Sequence, residues 1–225
     1  MWTENSFLEF YETARDKDIL ICFVVRVQED LNFLEHGGGN MFREDQMHWD
    51  VVVNARDRGK IGKVTWRAIV TLLLEDLLLN KASKDHGYFL AVTRLKSIRK
   101  MEVKEELGCM LFHLVFHCRV FKPVAGEILD GVVDKVCRYG AFLRCGPVRT
   151  AFLSARKMGG YSFVAGANPF FVNADFSKIS IGVVVRFRVL AVRWKDVERE
   201  FQVLATLEGD FLGPVSLSGF DDLEL

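Results

Sequence analysis

The sequence predicts an α+β protein built from two parts, and three features of the pattern lead to that class. A single long stretch with helical periodicity, residues 60–84, lies among apolar segments of strand length in the first half. From residue 127 onward the pattern consists of short strands only. Residues 123–126, with Pro123 and Gly126, form a candidate hinge between the two parts. Half of the 225 residues are hydrophobic, which is enough to bury two small cores.

Residues 1–40 are predicted to be an acidic N-terminal extension, with eight acidic and three basic side chains. Within it, residues 6–14 are compatible with a helix and residues 19–27 with a strand or a buried turn. The triglycine 37–39 is a flexible joint. The apolar run is too short to cross a bilayer, no basic leader precedes it, and the five cysteines form no CxxC pair. These features favour a soluble intracellular protein with reduced thiols.

The next part, residues 41–125, mixes one helix with strands. The helix is supported by two apolar rows at i, i+4 spacing, with Gly87 as a stop signal; the rows are Val64, Ala68, Leu72 and Ile69, Leu73, Leu77. The other predicted elements are strands at 49–53, 88–92 and 111–121 and a charged loop or short helix at 95–106. Strand, long helix, strand, strand is the pattern of a small α+β unit.

The last part, residues 126–216, is predicted to be all β, followed by an acidic tail at 217–225. Its strands are expected at 128–136, 141–145, 149–153, 179–192 and 201–207. The fourth alternates most clearly, with Ile181, Val183, Val185, Phe187 and Val189 on one side. Five strands, with a long excursion at 154–178 after the third, suit a five-stranded OB-type barrel.

Charge is unevenly distributed along a chain whose formal net charge is zero. No global field attracts nucleic acid, but residues 135–174 contain six bases and no acid. This segment coincides with "GVVDKVCRYGAFLRCG", residues 131–146, where two apolar runs flank Arg138-Tyr139-Gly140. The local charge makes this motif the candidate nucleic-acid surface.

Two interpretations of the motif are open. In one, Tyr139 and Phe142 are barrel packing and the arginines are merely solvated. In the other, single-stranded RNA binds here, with aromatic rings stacking on bases and cations contacting phosphates. The RNA-binding candidates are Lys135, Arg138, Tyr139, Phe142, Arg144 and Phe152, with Gly140 as the structural turn. Phe152 could instead be core, and Arg186 and Arg188 could extend the basic surface or only keep a strand soluble.

Two clusters of side chains invite a metal or catalytic interpretation, and ordinary structural roles account for both. Cys109, His113, His117 and Cys118 lie within ten residues, but on a strand they span too far to meet at one ion. Asp130 and Asp134 are a single carboxylate pair, and no P-loop, dinucleotide fingerprint or nucleophile elbow is visible. The sequence therefore predicts a non-catalytic protein without a metal or another cofactor.

Specific segments also resemble known families. The hairpin 131–143 resembles the first hairpin of ribosomal-protein-type OB-fold RNA-binding domains. The segments "FKPVAGEILDGVV", "CGPV" and "EGDFLGPVS" resemble the seventh subunit of eukaryotic RNA polymerases, the larger half of the stalk. The segments "VEREFQVLATLEGDFLGPVS" and "GANPFF" are most similar to the plant forms that serve RNA polymerases IV and V.

The resemblance implies a fold, partners and a cellular role. Residues 41–125 would be a truncated RNP-like domain that docks on the polymerase and its partner, and residues 126–216 an OB-fold RNA-binding domain. The implied partners are the fourth subunit as a heterodimer, the polymerase core and single-stranded RNA. The implied setting is the nucleus, in RNA-directed DNA methylation and gene silencing. The alternatives are a stalk subunit of RNA polymerase II and a free-standing OB-fold RNA-binding protein.

Overall fold

The computed structural model describes residues 41–54, 64–104 and 109–215. Three predicted features lie outside the described residues: the helix at 6–14, the strand at 19–27 and the acidic tail at 217–225. Among the described residues, no helix combines the length and apolar character needed to cross a bilayer.

The predicted α+β class is confirmed, because the described residues contain one α-helix and thirteen strands. The chain divides into two compact units, one containing Phe42–Lys122 and the other Pro123 onward. The helix belongs to the first unit, and the second is built from strands and short turns.

Where the structure describes it, the first unit is a four-stranded antiparallel sheet with one helix packed on it. Its elements are β1 (Phe42–Val53), α1 (Trp66–Leu79), β2 (Ala82–Ser83), β3 (Gly87–Lys104) and β4 (Cys109–Phe121). The sheet order is β1-β4-β3-β2. The strands expected at 49–53 and 111–121 lie within β1 and β4.

Helix α1 forms because a leucine-rich segment without glycine or proline presents one broad apolar face. The Thr65 side chain caps its first turn by accepting a hydrogen bond from the Ala68 N–H at 3.3 Å. At the other end, the Asn80 backbone N–H donates to the Asp76 carbonyl. The buried residues include the predicted row Ile69, Leu73 and Leu77, which packs on the sheet.

The predicted helix at 60–84 is too long at its C-terminal end. The chain leaves the helix at Asn80 and forms β2 before Gly87, whose φ of +96° starts the next strand instead of stopping a helix. The short β2 pairs with the beginning of β3, so tertiary pairing ends the helix before its sequence pattern does.

The loop or short helix expected at 95–106 is also wrong, because β3 continues as one strand to Lys104. Its pairing with β4 contains four register shifts, at Phe89/Ala91, Val92/Arg94, Leu95/Ser97 and Lys100/Glu102. Each extra residue in a bulge moves the following side chains to the other face, so the two-residue period is lost from the sequence.

The described residues of the second unit, 123–215, form nine strands, and five of these pair in a closed ring. They are β5 (Ile128–Cys137), β6 (Gly140–Cys145), β7 (Val148–Ser154), β11 (Val184–Lys195) and β12 (Glu200–Thr206). The ring runs β5-β6-β7-β12-β11 and returns to β5. The β7–β12 pair is parallel and the other pairs are antiparallel. The enclosed side chains include Leu143, Leu153 and Phe187, each without exposed surface.

The excursion expected at 154–178 is largely ordered structure. It contains a 3-10 turn (Ala155–Lys157) and a small antiparallel sheet, ordered β10-β9-β8, of β8 (Ser162–Val164), β9 (Phe170–Val172) and β10 (Lys178–Ile179). The final strand, β13 (Gly213–Pro214), pairs with the start of β11.

The strand expected at 179–192 is two strands. Ile179 belongs to β10, whereas β11 begins only at Val184, because Gly182 turns the chain with a φ of +86°. Ile181 is consequently 58% exposed and does not join the inward row, while Val185, Phe187 and Val189 do.

Candidate nucleic-acid interface

The hairpin between β5 and β6 presents Arg138 and Tyr139 at its tip. The Tyr139 side chain is 66% exposed, and the Arg138 guanidinium lies over its ring, 5.0 Å from the centroid. The Ala155 N–H donates to the Tyr139 carbonyl at 2.9 Å, which anchors the turn to the segment after β7. The tip therefore holds an accessible aromatic face beside a cation.

Gly140 sets the geometry of this turn. Its φ is +153°, a backbone conformation that residues other than glycine rarely adopt. A Cβ there would collide with the Leu153 carbonyl oxygen and lie 3.0 Å from Cζ of Phe152. The absent side chain allows β6 and β7 to approach at the point where the aromatic residues meet.

Phe142 and Phe152 form a half-buried pair on the outer face of the ring of strands. They are register partners on β6 and β7, with ring centroids 5.0 Å apart and an interplanar angle of 47°. Their sequence neighbours Ala141, Leu143 and Leu153 point inward and are fully buried. Because adjacent residues of a strand face opposite sides, both phenylalanines face outward. Phe152, which the sequence left open as a core residue, is not inside the ring.

Lys135 joins this pair from the neighbouring strand, because it is the register partner of Phe142 on β5. Arg144 is exposed on β6, two residues from Phe142, the spacing of one strand face. The structure thus places Lys135, Phe142 and Phe152 side by side on three strands, with Arg144 next to them and Arg138-Tyr139 at the hairpin tip.

A shallow groove of about 440 Å³ continues this face toward β11 and β12. The two phenylalanines form one side, and Thr150, Arg193, Gln202 and Leu204 contribute to the rest. The parallel β7–β12 pairing sets Gln202 beside Thr150 and Leu204 beside Phe152. The sequence analysis did not identify these four residues. The alternation of β12 shows that Gln202 and Leu204 face outward, but the sequence does not show that β12 pairs with β7.

Several basic side chains around this face have no acidic partner in the part of the chain that the structure describes. Among the described residues, no carboxylate lies within ion-pairing distance of these exposed cations: Lys135, Arg138, Arg144, Arg149 and Arg156. They are available to a polyanion without first breaking an ion pair.

Three other basic residues of the second unit, Arg186, Arg188 and Lys157, already have hydrogen-bond or ion-pair partners. Arg186 donates from Nε and a terminal nitrogen to both carboxylate oxygens of Asp130, each at 2.8 Å, and this hydrogen-bonded pair raises the pKa of Arg186. Arg188 donates to the Glu208 carbonyl at 3.3 Å, and Lys157 pairs with the Glu208 carboxylate at 3.1 Å. Arg186 therefore does not extend the basic surface, because its charge is neutralised by a bidentate partner.

The residues considered for metal binding all lie on β4 in the first unit. His117 and Cys118 are adjacent on the strand and face opposite sides of the sheet, and burial raises the pKa of the Cys118 thiol to about 12. His113 instead pairs with Asp50 at 2.6 Å. The described residues contain no group of three or more His, Cys, Asp or Glu side chains that could hold a metal ion.

Of the carboxylate pair considered for catalysis, Asp134 is exposed on β5 and Asp130 has a structural partner, as do two acidic side chains of the β11–β12 hairpin. Asp130 is bound by Arg186, and Asp196 accepts a hydrogen bond from the Trp194 indole N–H at 2.9 Å. The hydrogen bond from Lys195 lowers the pKa of Glu198 at the same hairpin. These groups stabilise turns and strand pairs and do not converge on one point.

Comparison with known proteins gives related sequences over most of the chain. The chain is 43% identical to DNA-directed RNA polymerase V subunit 7 of Arabidopsis thaliana over 78% of its length and 99% of the relative. It is 44% identical to RNA polymerase IV subunit 7 of the same plant, over 77% of this chain and 99% of that protein. The identity to RNA polymerase II subunit RPB7 of Glycine max is 31%, over 64% of this chain and 85% of that protein. No family model matches the chain.

Proposed function

This chain belongs to the subunit 7 family of DNA-directed RNA polymerases, and on that premise we propose that it contacts single-stranded RNA through the outer face of its second unit. It is an accessory, non-catalytic stalk subunit of the plant RNA polymerase IV/V kind. The role in RNA-directed DNA methylation and silencing follows from that kind of polymerase and is part of the proposal.

The second unit is proposed to be a five-stranded OB barrel. The closed ring β5-β6-β7-β12-β11 supports this, since full closure removes open sheet edges. The parallel pairing of the third and last strands lets one face extend without interruption from the hairpin tip across β6, β7 and β12. OB folds bind oligonucleotides on such a face.

The observation that carries the RNA proposal is the Phe142–Phe152 pair, surrounded by cations that have no ion-pair partner among the described residues. Two tilted rings offer stacking surface at a shallow groove of about 440 Å³ that they help to line. Each stacked base contributes roughly 1–3 kcal/mol, and every base has a face that can stack, so binding is expected to tolerate many sequences. The cations around the rings add a salt-dependent term from phosphate contacts.

The first unit is proposed to dock on the polymerase and to pair with the fourth subunit, across the truncated RNP-like domain at 41–125. Helix α1 supports this role at its C-terminal end, where Leu79 is 78% exposed and Leu78 only partly buried. Exposed apolar side chains of this kind are commonly covered by a partner. Assembly with such partners places the chain in the nucleus.

The second candidate is a stalk subunit of RNA polymerase II, or a free-standing OB-fold RNA-binding protein. The higher identities to the IV and V subunits, 43–44% against 31%, favour the first candidate over RNA polymerase II. The free-standing alternative differs in its partners and not in its RNA-binding face.

Native purification of the tagged full chain from plant cells tests the proposal. The expected result is stoichiometric recovery of a polymerase largest subunit together with a fourth-subunit homologue. The identity of the largest subunit then assigns the chain to polymerase IV or V. Recovery of the chain with RNA but without polymerase subunits would support a free-standing RNA-binding protein. Recovery of the polymerase II largest subunit would support a stalk subunit of RNA polymerase II.

Recombinant co-expression tests the partner more directly. The chain alone is expected to aggregate or to unfold readily, and a fourth-subunit homologue should restore a soluble heterodimer. A stable monomer whose melting temperature does not change when that homologue is added would contradict the heterodimer.

A further inference from the structure

Two phenylalanines of the second unit are almost fully exposed and share an unusual local structure. Phe176 is 88% exposed and Phe211 is 95% exposed. Each has a φ of +61°, and each directly follows an aspartate, in Ala174-Asp175-Phe176 and Gly209-Asp210-Phe211. A left-handed backbone is strained for an aromatic residue and is retained where the surroundings enforce it.

The surroundings of Phe176 do enforce it. The Asn173 side-chain oxygen accepts hydrogen bonds from the backbone N–H groups of Asp175 and Ser177, at 3.0 and 2.8 Å. The Phe176 N–H donates to the Asn173 carbonyl at 3.2 Å. The ring is therefore held out into solvent by a closed turn, which limits the conformational entropy that binding would cost.

The loop of Phe211 is anchored on both sides in a similar way. Before it, the Glu208 N–H donates to the Thr206 hydroxyl at 3.0 Å; after it, Gly213 pairs with Arg186 on β11. The Tyr161 hydroxyl borders both loops, since it lies 2.9 Å from Oγ of Ser177 and 3.6 Å from the position of a Cβ on Gly213.

The strand directions place both rings at the same end of the second unit. β7 and β12 run parallel, and β11 runs antiparallel to β12, so the segments after β7 and β12 and before β11 emerge together. Val197, which is 93% exposed, lies in the turn between β11 and β12 and hence at the opposite end.

Charge distinguishes this surface from the RNA face. Asp175 and Asp210 are exposed and directly precede the two rings. Cations beside the same loops are engaged elsewhere, Lys178 over the Phe170 ring and Arg188 with the Glu208 carbonyl. A carboxylate next to each ring disfavours the phosphates of RNA. Rigid aromatic side chains are typical anchors of protein interfaces, and an acidic border matches a basic one on the partner. We propose that the Asp175-Phe176 and Asp210-Phe211 pairs form one docking surface for a protein whose apolar pockets are bordered by lysine or arginine.

The inference rests on the proposed function in one respect, because the partner is sought in the assembled polymerase. A photoreactive phenylalanine analogue is placed at position 176, 211 or, as the control, 197 of the tagged full chain, and the complex is irradiated before purification. The adducts at 176 and 211 are expected on one polypeptide, in segments with flanking basic residues, and the adduct at 197 elsewhere. Adducts to RNA, or no adducts at 176 and 211, would overturn the inference.

The polypeptide identified by cross-linking is then purified, and its affinity for variants of this chain measures the contribution of each ring. Phe176→Asn and Phe211→Asn should each weaken it about tenfold or more without loss of melting temperature, because asparagine tolerates a left-handed backbone. Val197→Asn should have no effect, and Asp175→Lys with Asp210→Lys should weaken binding most at low salt. Unchanged binding by both asparagine variants would overturn the inference. If the purified complex lacks the polymerase core, only the proposed function is contradicted. The docking surface is tested separately, by whether positions 176 and 211 form adducts with one polypeptide.

Discussion

Gly140 shows how one residue controls the candidate RNA face. Its positive φ and the nearby Leu153 carbonyl leave no room for a side chain, and the ring of Phe152 lies directly beyond. The same turn fixes the exposed ring of Tyr139 on one side and starts the strand of Phe142 on the other. A change at Gly140 therefore acts on folding before it acts on binding.

Gly140→Val is expected to lower the free energy of unfolding by about 2–5 kcal/mol, from backbone strain plus steric overlap. Urea unfolding of the full chain measures this value. Gly126→Val is the matched control, because Gly126 also has a positive φ, +95°, but nothing lies within 4 Å of its Cβ position. Equal losses in the two variants would show that backbone strain alone matters and that the contact with Leu153 does not.

The unpaired cations make a separate prediction about salt. Lys135→Ala and Arg138→Ala should each reduce the slope of log affinity against log salt for single-stranded RNA by roughly 0.7, the value for one lost phosphate contact. Lys157→Ala is the control, because Lys157 already pairs with Glu208. Titration by fluorescence anisotropy at several salt concentrations gives the slopes. A similar reduction in the Lys157 variant would mean that net charge, and not contact, sets the affinity.

At the scale of elements, the pairing of β5 with β11 closes the ring of strands and also removes two charges from the surface. Asp130 and Arg186 are register partners, and their bidentate contact crosses the two strands. The Asp130 side chain is only 16% exposed, so the pair is better shielded from solvent than most surface ion pairs. The contact therefore stabilises strand pairing and leaves Arg186 out of the proposed RNA face.

A double-mutant cycle of Asp130→Asn and Arg186→Gln is expected to give a coupling energy of about 1–2 kcal/mol, since the interaction is charge-assisted and partly buried. Urea unfolding of the two single variants and the double variant measures it. RNA affinity should be the same in Arg186→Gln as in the parent protein at each salt concentration. A coupling energy near zero, or weaker RNA binding by that variant, would contradict this assignment.

The elements that sequence predicts well are those with an unbroken period. The rows Ile69-Leu73-Leu77 on α1 and Val185-Phe187-Val189 on β11 are buried as expected, because each keeps its period from its first to its last residue; on β11 the register shifts only after Val189. β3 was missed from Leu95 onward because the register shifts at Leu95/Ser97 and Lys100/Glu102 move charged side chains between faces. The strand expected at 179–192 failed at Gly182, where a positive φ ends one strand before the next begins.

The candidate site was predictable only where it is local in sequence. Arg138, Tyr139 and Gly140 lie in one hairpin, and a short motif contains all three. The groove residues Gln202 and Arg193 lie more than forty residues further along the chain than that motif. Strand pairing brings them to the same face, and no local sequence pattern encodes that pairing.

At the scale of the whole molecule, the related subunits define how much of the chain the shared fold needs. RNA polymerase V subunit 7 is matched over 99% of its length by 78% of this chain, so about a fifth of the chain has no counterpart in it. Residues 1–40 are expected to belong to that remainder, because the family resemblance covers the domains predicted from residue 41 onward and the triglycine 37–39 has the composition of a linker.

Deletion of residues 1–40 is therefore expected to leave the heterodimer with a fourth-subunit homologue intact. Size-exclusion chromatography of the co-expressed pair, with the full chain as the control, checks this. Loss of the heterodimer would show that the apolar segment 19–27 is part of the folded core, and that the domain boundary at residue 41 is wrong.

Single-stranded RNA binding by Tyr139→Ala, measured by fluorescence anisotropy at fixed salt, tests the central claim most directly. Removal of one stacking platform should weaken binding by ~1–3 kcal/mol, or about 5- to 150-fold, with an unchanged melting curve. Val197→Ala, at the opposite end of the strands, controls for loss of an exposed apolar side chain. If Tyr139→Ala folds normally and binds RNA as tightly as the parent protein, the hairpin has only a structural role and the claim is contradicted.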